Sequence, residues 1–303
     1  MSQAPPSSQA LTGGLLVLMG AIFYSSKAIM VKLAYQWPVD PTALLTLRML
    51  FALPFYLFFA LRKPRRPPPG PLPDRQAYLG LIATGLTGYY LASLFDFWGL
   101  RYVTASLERL ILFSYPSLVL LLSAVVWGRR IGGRQALALL LTYLGIAVVM
   151  GLDWQPQTQP DFWRGSLLIF LAALAYAIYL MGSERLIPRL GTIRFTAWSM
   201  LAATAGILIH SLLSGQAGQL AGLDWPVYSY ALLMAIVATL IPSFLIAAGI
   251  RRIGAGHAAI IGSIGPVSTI LLAYLFLDER LSPGQWMGSL LVILGVSLIT
   301  VRR

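Results

Sequence analysis

The sequence predicts an all-α integral membrane protein with ten transmembrane helices, arranged as two inverted-topology five-helix repeats. Three observations lead to this prediction: an apolar composition, a stretch that occurs twice, and basic residues concentrated in one set of turns. Hydrophobic residues make up 58% of the 303 residues and charged residues only 11%, and the mean hydropathy is +0.77. Because a soluble domain carries about 25% charged residues, this chain has too little polar surface to cover a soluble particle.

The chain divides into ten apolar segments, each close to the roughly 20 residues that cross a bilayer. In chain order they are residues 12–34, 41–61, 76–99, 104–127, 134–151, 165–186, 192–213, 226–249, 256–277 and 283–301. The breaks between them contain proline, glycine and aspartate, which favour turns. Residues 1–11 contain no charged side chain and are predicted to form a disordered N-terminal tail.

The second half of the chain repeats the first at an offset of 150 residues. Pro116 then falls on Pro266 and Gly145 on Gly295 without a gap. Each copy has two apolar runs joined by a short polar turn, which predicts two helices and a tight turn in each half. Internal duplication is a strong clue to fold. It predicts a first five-helix repeat at residues 12–151 and a second at residues 165–301.

Basic residues predict the orientation of the chain in the membrane. Fifteen Lys and Arg residues fall in the turns on one side, and three fall on the other, namely Arg101, Arg164 and Arg280. Because cytoplasmic loops carry an excess of basic residues, both termini are predicted to be cytoplasmic in a multi-pass protein of the bacterial inner (plasma) membrane. This distribution also accounts for the net charge of +12 without a nucleic-acid partner.

Five helices per half is an odd number, so the second repeat would enter the membrane from the opposite side. Inverted repeats are typical of transporters that work by alternating access. Pro116 and Pro266 are predicted to lie inside their helices, where each would remove a hydrogen bond and kink the helix. Proline is also simply frequent in membrane helices, but its recurrence in both copies favours a functional bend.

The end of the second copy contains a motif that resembles the end of an EamA domain, a family in the drug/metabolite transporter superfamily. The motif is LDERLSPGQWMG at residues 277–288, followed by Gly295 and Val296. Upstream, residues 255–266 are similar to the helix that precedes this motif in the family. In the first half, residues 20–32 and Arg48 resemble the opening two helices of the domain.

The tandem likeness covers nearly the whole chain and implies a ten-helix exporter of small metabolites. The first copy departs from the family pattern, because Trp127-Gly128-Arg129-Arg130 stands where the acidic turn usually lies. The two turns therefore need not do the same job. Within the family, the aromatic third helix resembles that of bacterial exporters of aromatic amino acids.

Ionisable side chains at membrane depth are costly and indicate function. Two roles are open for Lys27: it faces a substrate carboxylate, or it is structural, with a stem that snorkels or an ammonium that pairs with a structural carboxylate. Arg48 is predicted to be structural, capping carbonyls of neighbouring helices. Asp96 and the Glu108-Arg109 pair are predicted to lie close together, as a charge cluster that closes or positions the outer mouth rather than binding substrate directly.

Aromatic and small residues complete the candidate substrate-binding set. The set beside Lys27 is Tyr24, Tyr89, Tyr90, Tyr115, Tyr176, Tyr179 and Ser263. Tyrosines near mid-membrane can stack on a ring and need a hydrogen-bond partner for the hydroxyl, although ordinary packing is the alternative. Tyr176 and Tyr179 occupy the place of Tyr24 and Lys27 at an offset of 152 residues. Ser263 adjoins the second proline, where small residues permit either helix packing or substrate approach.

These features predict a secondary transporter of aromatic and other neutral amino acids, and the family resemblance implies that it exports them. Another metabolite or a cationic drug is the alternative substrate class, and a membrane-embedded enzyme is a more distant alternative. The chain has no cysteine and no GxSxG, HExxH or nucleotide-binding loop, which are common signatures of enzymes. No catalytic residue, cofactor or metal site is predicted. The expected partners are a small-molecule substrate and the lipid bilayer.

Overall fold

A computed structural model describes residues 7–62, 74–128, 130–153, 161–262 and 264–300, and every regular element in these ranges is helical. The α-helices are α1 (Ser7–Ala34), α2 (Pro41–Leu61), α3 (Arg75–Gly85), α4 (Ala92–Gly99), α5 (Ala105–Leu112), α6 (Tyr115–Trp127), α7 (Gly133–Asp153), α8 (Phe162–Leu190), α9 (Thr192–Leu213), α10 (Trp225–Ala235), α11 (Ile241–Gly262), α12 (Gly265–Leu277) and α13 (Pro283–Thr300). Two π-helical segments, Leu86–Leu91 and Ile236–Leu240, join α3 to α4 and α10 to α11. A short 3-10 turn covers Gln216–Gln219.

Eight helical stretches among the described residues are long and apolar enough to cross a membrane. Two further apolar helices are shorter, Gly265–Leu277 and Pro283–Leu298. The chain is therefore a multi-pass helical membrane protein. The ten predicted segments correspond to these eight stretches and two shorter helices, and the number of crossings stays a prediction.

Side-chain caps explain why helices begin at the polar turns. The Asp40 carboxylate accepts a hydrogen bond of 2.7 Å from the Thr42 N–H, and Pro41 opens α2. Thr104 precedes α5, and its hydroxyl accepts from the Leu107 N–H at 3.2 Å. The first N–H groups of a helix have no partner within it, so such caps stabilise its start.

The two halves share local irregularities at the 150-residue offset. The π-helical segments begin at Leu86 and Ile236, and each contains a backbone hydrogen bond to the fifth preceding residue. The residues that end α6 and α12, Gly128 and Asp278, both adopt positive φ values, of 63° and 52°. Matched departures from regular geometry are difficult to explain unless the two halves share one backbone plan.

Equivalent helices of the two halves pack against each other. α2 packs against α9, and α7 packs against α13. The first helix of each half also packs against the opposite half. α1 packs against α11, and its counterpart α8 packs against α4. In the contact between α7 and α13, a Cβ added to Gly145 would lie 2.6 Å from the Gly288 carbonyl oxygen. Glycine is therefore what allows these two backbones to approach so closely.

The structure differs from the predicted kinks at the two prolines. Pro116 and Pro266 lie in the first turns of α6 and α12, so the helix ends and restarts just before each proline. α5 ends at Leu112 and α6 begins at Tyr115. Proline in a first turn removes no helical hydrogen bond, which explains a restart in place of a kink within a continuous helix.

A second difference concerns the predicted break between residues 249 and 256, which are joined within the continuous helix α11. The corresponding break in the first half is capped by Thr104, whereas its counterpart at the 150-residue offset is Gly254. Without a side-chain acceptor at this position, nothing competes with continued helix. The predicted tail at residues 1–11 overlaps the start of α1 at Ser7, and residues 1–6 lie outside the described residues.

Candidate functional site

A cavity of about 410 Å³ lies between the two halves of the protein. Its lining includes residues from α1, α2, α4, α5 and α8, together with both π-helical segments. Small-molecule sites typically measure about 300–1,000 Å³ and combine an apolar wall with a few placed polar groups. This cavity fits that description and is the candidate substrate site.

The π-helical segments contribute matched positions to the lining. Gly88 and Tyr89 come from the first segment, and Ala238 and Thr239 occupy the same places in the second. A Cβ added to Gly88 would overlap the ring of Tyr179. Because a π-helical turn inserts one residue, it changes which side chains face the cavity, and such segments often occur at functional sites.

Lys27 is the centre of a buried ion-pair cluster. Its ammonium lies 2.6 Å from Asp96 Oδ2 and 3.5 Å from Glu108 Oε1. The side chains are 10%, 3% and 0% exposed, respectively. The geometry thus matches the second of the two roles considered for Lys27, pairing with carboxylates of the protein. Asp96 and Glu108 lie close together and are buried beside the cavity. That this cluster closes or positions the outer mouth stays a prediction.

Each carboxylate has one oxygen outside the ion pair with Lys27, and the two carboxyl groups lie within hydrogen-bond reach of each other. Asp96 Oδ1 and Glu108 Oε2 are buried and have no hydrogen-bond partner among the described residues. Asp96 lines the cavity together with Lys27. A buried polar atom without a partner is uncommon and calls for an explanation such as a bound ligand or ion.

Two arginines supply further positive charge. Arg48 lines the cavity, donates to the Ser93 hydroxyl at 3.2 Å and lies over the Phe97 ring. Arg109 also lines the cavity, with its guanidinium carbon 5.6 Å from the centre of the Tyr24 ring. The Nε atoms of both arginines are buried and have no hydrogen-bond partner within the described ranges.

Arg48 is therefore a site residue that sequence reasoning assigned to a structural role. Its hydrogen-bond partner is a side chain, Ser93, and the predicted capping of carbonyls is not among its described contacts. The available signal was its position within an apolar helix, since arginine at membrane depth usually faces a cavity or a partner. Ser93 and Thr239 line the cavity as well, but an isolated hydroxyl in an apolar run gives no such signal.

Tyrosines form one wall of the site. Tyr24, Tyr89, Tyr115 and Tyr176 line the cavity. The rings of Tyr115 and Tyr176 meet edge to face with centroids 5.0 Å apart. The Tyr89 and Tyr179 hydroxyls are 3.0 Å apart. Edge-to-face and offset contacts of this kind are the preferred arrangements of aromatic rings, so the wall is packed before any substrate binds.

Several predicted residues do not line this cavity. Tyr90 hydrogen-bonds His210 Nδ1 at 2.9 Å, because successive residues of a helix face different directions. Tyr179 is buried behind the wall, where its ring stacks on Tyr176 and on Phe195. Pro116 is part of the lining, whereas Pro266 is buried in α12 and is not part of it. Ser263 lies outside the described residues.

Sequence reasoning also missed a contact between the two halves. Glu279 Oε1 accepts from the Ala105 N–H at 2.8 Å, and Glu279 Oε2 accepts from the Ser106 N–H at 3.0 Å and from the Ser106 hydroxyl at 2.8 Å. Glu279 thereby caps α5 from the turn that follows α12. The acidic turn was recognised as a family motif, but its partner is 173 residues away in sequence. No local pattern could identify that partner.

We find no candidate metal site in the described part of the chain. Among the described residues there is no group of three or more His, Cys, Asp or Glu side chains that could hold a metal ion. Asp96 and Glu108 are instead arranged around an ammonium group. The site is built for ion pairing, hydrogen bonding and aromatic contact.

Comparison with known proteins supports a transport role. Residues 11–151 and 163–301 each match the model of the EamA-like transporter family. An uncharacterized transporter of Bacillus subtilis (strain 168) is 33% identical over 287 residues, covering 92% of this chain and 90% of that protein. A probable amino-acid metabolite efflux pump of Escherichia coli (strain K12) is 25% identical over 292 residues, covering 93% of each.

The fold also has a counterpart among solved structures. A crystal structure aligns with 94% of this chain and 95% of its own chain, with a TM-score of 0.61 and 18% sequence identity. At that identity the likeness concerns the fold alone. The two family matches together cover most of the sequence, and the chain belongs to the EamA-like transporter family.

Proposed function

We propose that this protein is a secondary transporter that exports small metabolites, with aromatic and other neutral amino acids as its substrates. The observation that carries the proposal is the cavity, where cationic groups, a carboxylate and tyrosine rings lie together between two homologous halves. An amino acid has a matching set of parts: a carboxylate, an ammonium and a side chain. The Escherichia coli relative is itself described as a probable amino-acid metabolite efflux pump.

Alternating access is the proposed mechanism. Its support is the duplication into two family segments, the matched π-helical segments, and the reciprocal packing of α1 on α11 and α8 on α4. In inverted-repeat transporters, one repeat rocks against the other around a site near the bilayer midplane. Both termini are proposed to lie in the cytoplasm of a bacterial cell, with the protein in the inner membrane.

A cationic drug is the competing substrate, and the charges of the cavity argue against it. Lys27, Arg48 and Arg109 line the cavity with one carboxylate, Asp96, and Glu108 is buried behind it. Among the described residues, three cations therefore face two carboxylates. The excess positive charge favours a solute that brings a carboxylate, since buried charges need partners.

A flux panel in proteoliposomes tests the proposal. Phenylalanine, tryptophan, threonine, glucose and a quaternary ammonium drug would each be loaded and their efflux measured. We expect saturable efflux of the amino acids, fastest for those with aromatic rings, because a ring contact adds about 0.5–1.5 kcal/mol. Efflux of the drug or the sugar alone would overturn the amino-acid proposal and leave the transporter family unaffected.

A further inference from the structure

We infer that Asp96 and Arg109 recognise the two charged ends of the substrate, with Asp96 binding the α-ammonium and Arg109 binding the α-carboxylate. This inference rests on the proposed function, and it replaces the simpler idea that Lys27 binds the carboxylate. It depends on which polar atoms at the cavity already have a hydrogen-bond or ion-pair partner and which do not.

The Lys27 ammonium already has two ion-pair partners. Its ammonium contacts Asp96 Oδ2 at 2.6 Å and Glu108 Oε1 at 3.5 Å. A substrate carboxylate that approached Lys27 would also approach these two carboxylates, and like charges at short range repel. The same ion pair holds Asp96 in place by one oxygen.

Asp96 Oδ1 is the oxygen of that carboxylate that the ion pair with Lys27 does not use. It is buried and has no hydrogen-bond partner among the described residues, while the residue itself lines the cavity. A carboxylate oxygen can accept more than one hydrogen bond. An ammonium group supplies the donors and the charge that this oxygen lacks.

Arg109 is the better placed of the two arginines. Arg48 already donates to Ser93 and lies over the Phe97 ring. The Arg109 guanidinium lies over the Tyr24 ring and packs against the backbone of Gly265, where an added Cβ would overlap it. Its Nε is buried and has no partner in the described part of the chain.

The guanidinium is suited to this role because its planar fork can bind both oxygens of a carboxylate. The Tyr24 ring and the Gly265 backbone lie against the guanidinium and limit where it can move. Asp96 and Arg109 come from α4 and α5, and the Lys27 contacts of Asp96 and Glu108 bring these two helices together at the cavity. The tyrosine wall lies beside them and provides a surface for the side chain of the substrate.

Three ligands separate the two charged ends in an equilibrium binding experiment on the purified full chain. Phenylalanine has both ends, 2-phenylethylamine has only the ammonium, and 3-phenylpropionate has only the carboxylate. Asp96→Asn should weaken phenylalanine and phenylethylamine by on the order of tenfold and leave phenylpropionate unchanged. Arg109→Gln should weaken phenylalanine and phenylpropionate by a similar factor and leave phenylethylamine unchanged.

An exposed ion pair provides matched controls. Asp161 and Arg164 are 4.0 Å apart and more than half exposed, so Asp161→Asn and Arg164→Gln should leave all three affinities unchanged. If either cavity variant weakens all three ligands equally, or none, the assignment of the ends is wrong. If the parent protein binds neither phenylalanine nor its analogues, the amino-acid proposal itself fails. Should Asp96→Asn not fold, Asp96→Glu is the second variant, and an equal effect on all three ligands would contradict the inference.

Discussion

Lys27 lies in a membrane segment with two carboxylates around its ammonium, and it is only 10% exposed. Taking charges out of water is expensive, and the cluster is tolerable because the Lys27 ammonium pairs with the carboxylates around it. Removing one partner leaves the others buried and uncompensated. This single side chain therefore affects stability as well as transport.

Lys27→Ala should lower the thermal stability of the purified protein and weaken the efflux of every amino acid. Breaking a buried ion pair typically costs about 3–5 kcal/mol. The melting temperature in detergent and the efflux rates of phenylalanine and threonine measure the two effects. Lys27→Arg should restore much of both, because it keeps the charge. Parent-like stability and flux in Lys27→Ala would contradict the importance of the cluster.

At this scale, sequence reasoning identified which residues are unusual but not which atoms they contact. Lys27, Asp96, Glu108 and Arg109 all stood out because charges are rare in apolar segments. Whether Lys27 faced a ligand or a protein carboxylate depended on packing between α1, α4 and α5. The spacing of residues along one helix cannot reveal that packing.

The start of α5 shows how one helix is completed by a distant turn. Ala105 and Ser106 expose backbone N–H groups at the end of a helix, and both donate to Glu279. A carboxylate also interacts favourably with the positive end of the helix dipole. In the other half, the counterparts Ala255 and Gly256 belong to the continuous helix α11, and Arg129 stands in the sequence where Glu279 stands. The turn that contains Glu279 thus caps a helix that begins at Ala105. At the equivalent position of the sequence, the turn that contains Arg129 is paired with a helix that continues without a break.

Glu279→Ala should therefore favour opening of the protein on the side where α5 begins. Hydrogen bonds to a charged group contribute about 1.5–3 kcal/mol, so the open population should rise on the order of tenfold or more. The chain has no native cysteine, so a cysteine placed at the cavity residue Ala92 reports access by its labelling rate. Asp278→Asn is the control, because Asp278 is 80% exposed and pairs only with Arg280 among the described contacts, and asparagine tolerates the positive φ of this position. Equal labelling in the two variants would show that the Glu279 contact does not hold this side closed.

The two halves are the largest units of the molecule. Their duplication was predictable from the sequence because matching residues recur at a fixed offset. Pro116 and Pro266 mark the same restart of a helix, and Gly145 and Gly295 the same region of close packing. The π-helical segments were not predictable, since no residue in LTGYYL or IVATL signals an inserted residue. They depend on how each helix packs against the opposite half.

Topology can be tested over the whole chain by cysteine labelling. Arg62 follows α2 and Gln219 follows α9, and the charge distribution predicts that they lie on the cytoplasmic and outer sides, respectively. In intact cells, an impermeant maleimide should label a cysteine at position 219 and spare one at position 62. Labelling of both positions from the same side would contradict the inverted arrangement.

Both halves contribute to the lining of the cavity, but they contribute different chemistry. Lys27, Arg48, Asp96 and Arg109 all come from the first half. At the 150-residue offset, the counterparts of Asp96 and Arg109 are Ile246 and Ala259. If the two halves move relative to each other as in the proposed alternating access, a solute held in this way would keep its polar contacts with the first half while the second half moved past its hydrocarbon end. The charged groups of the solute would then not have to be desolvated a second time during the crossing.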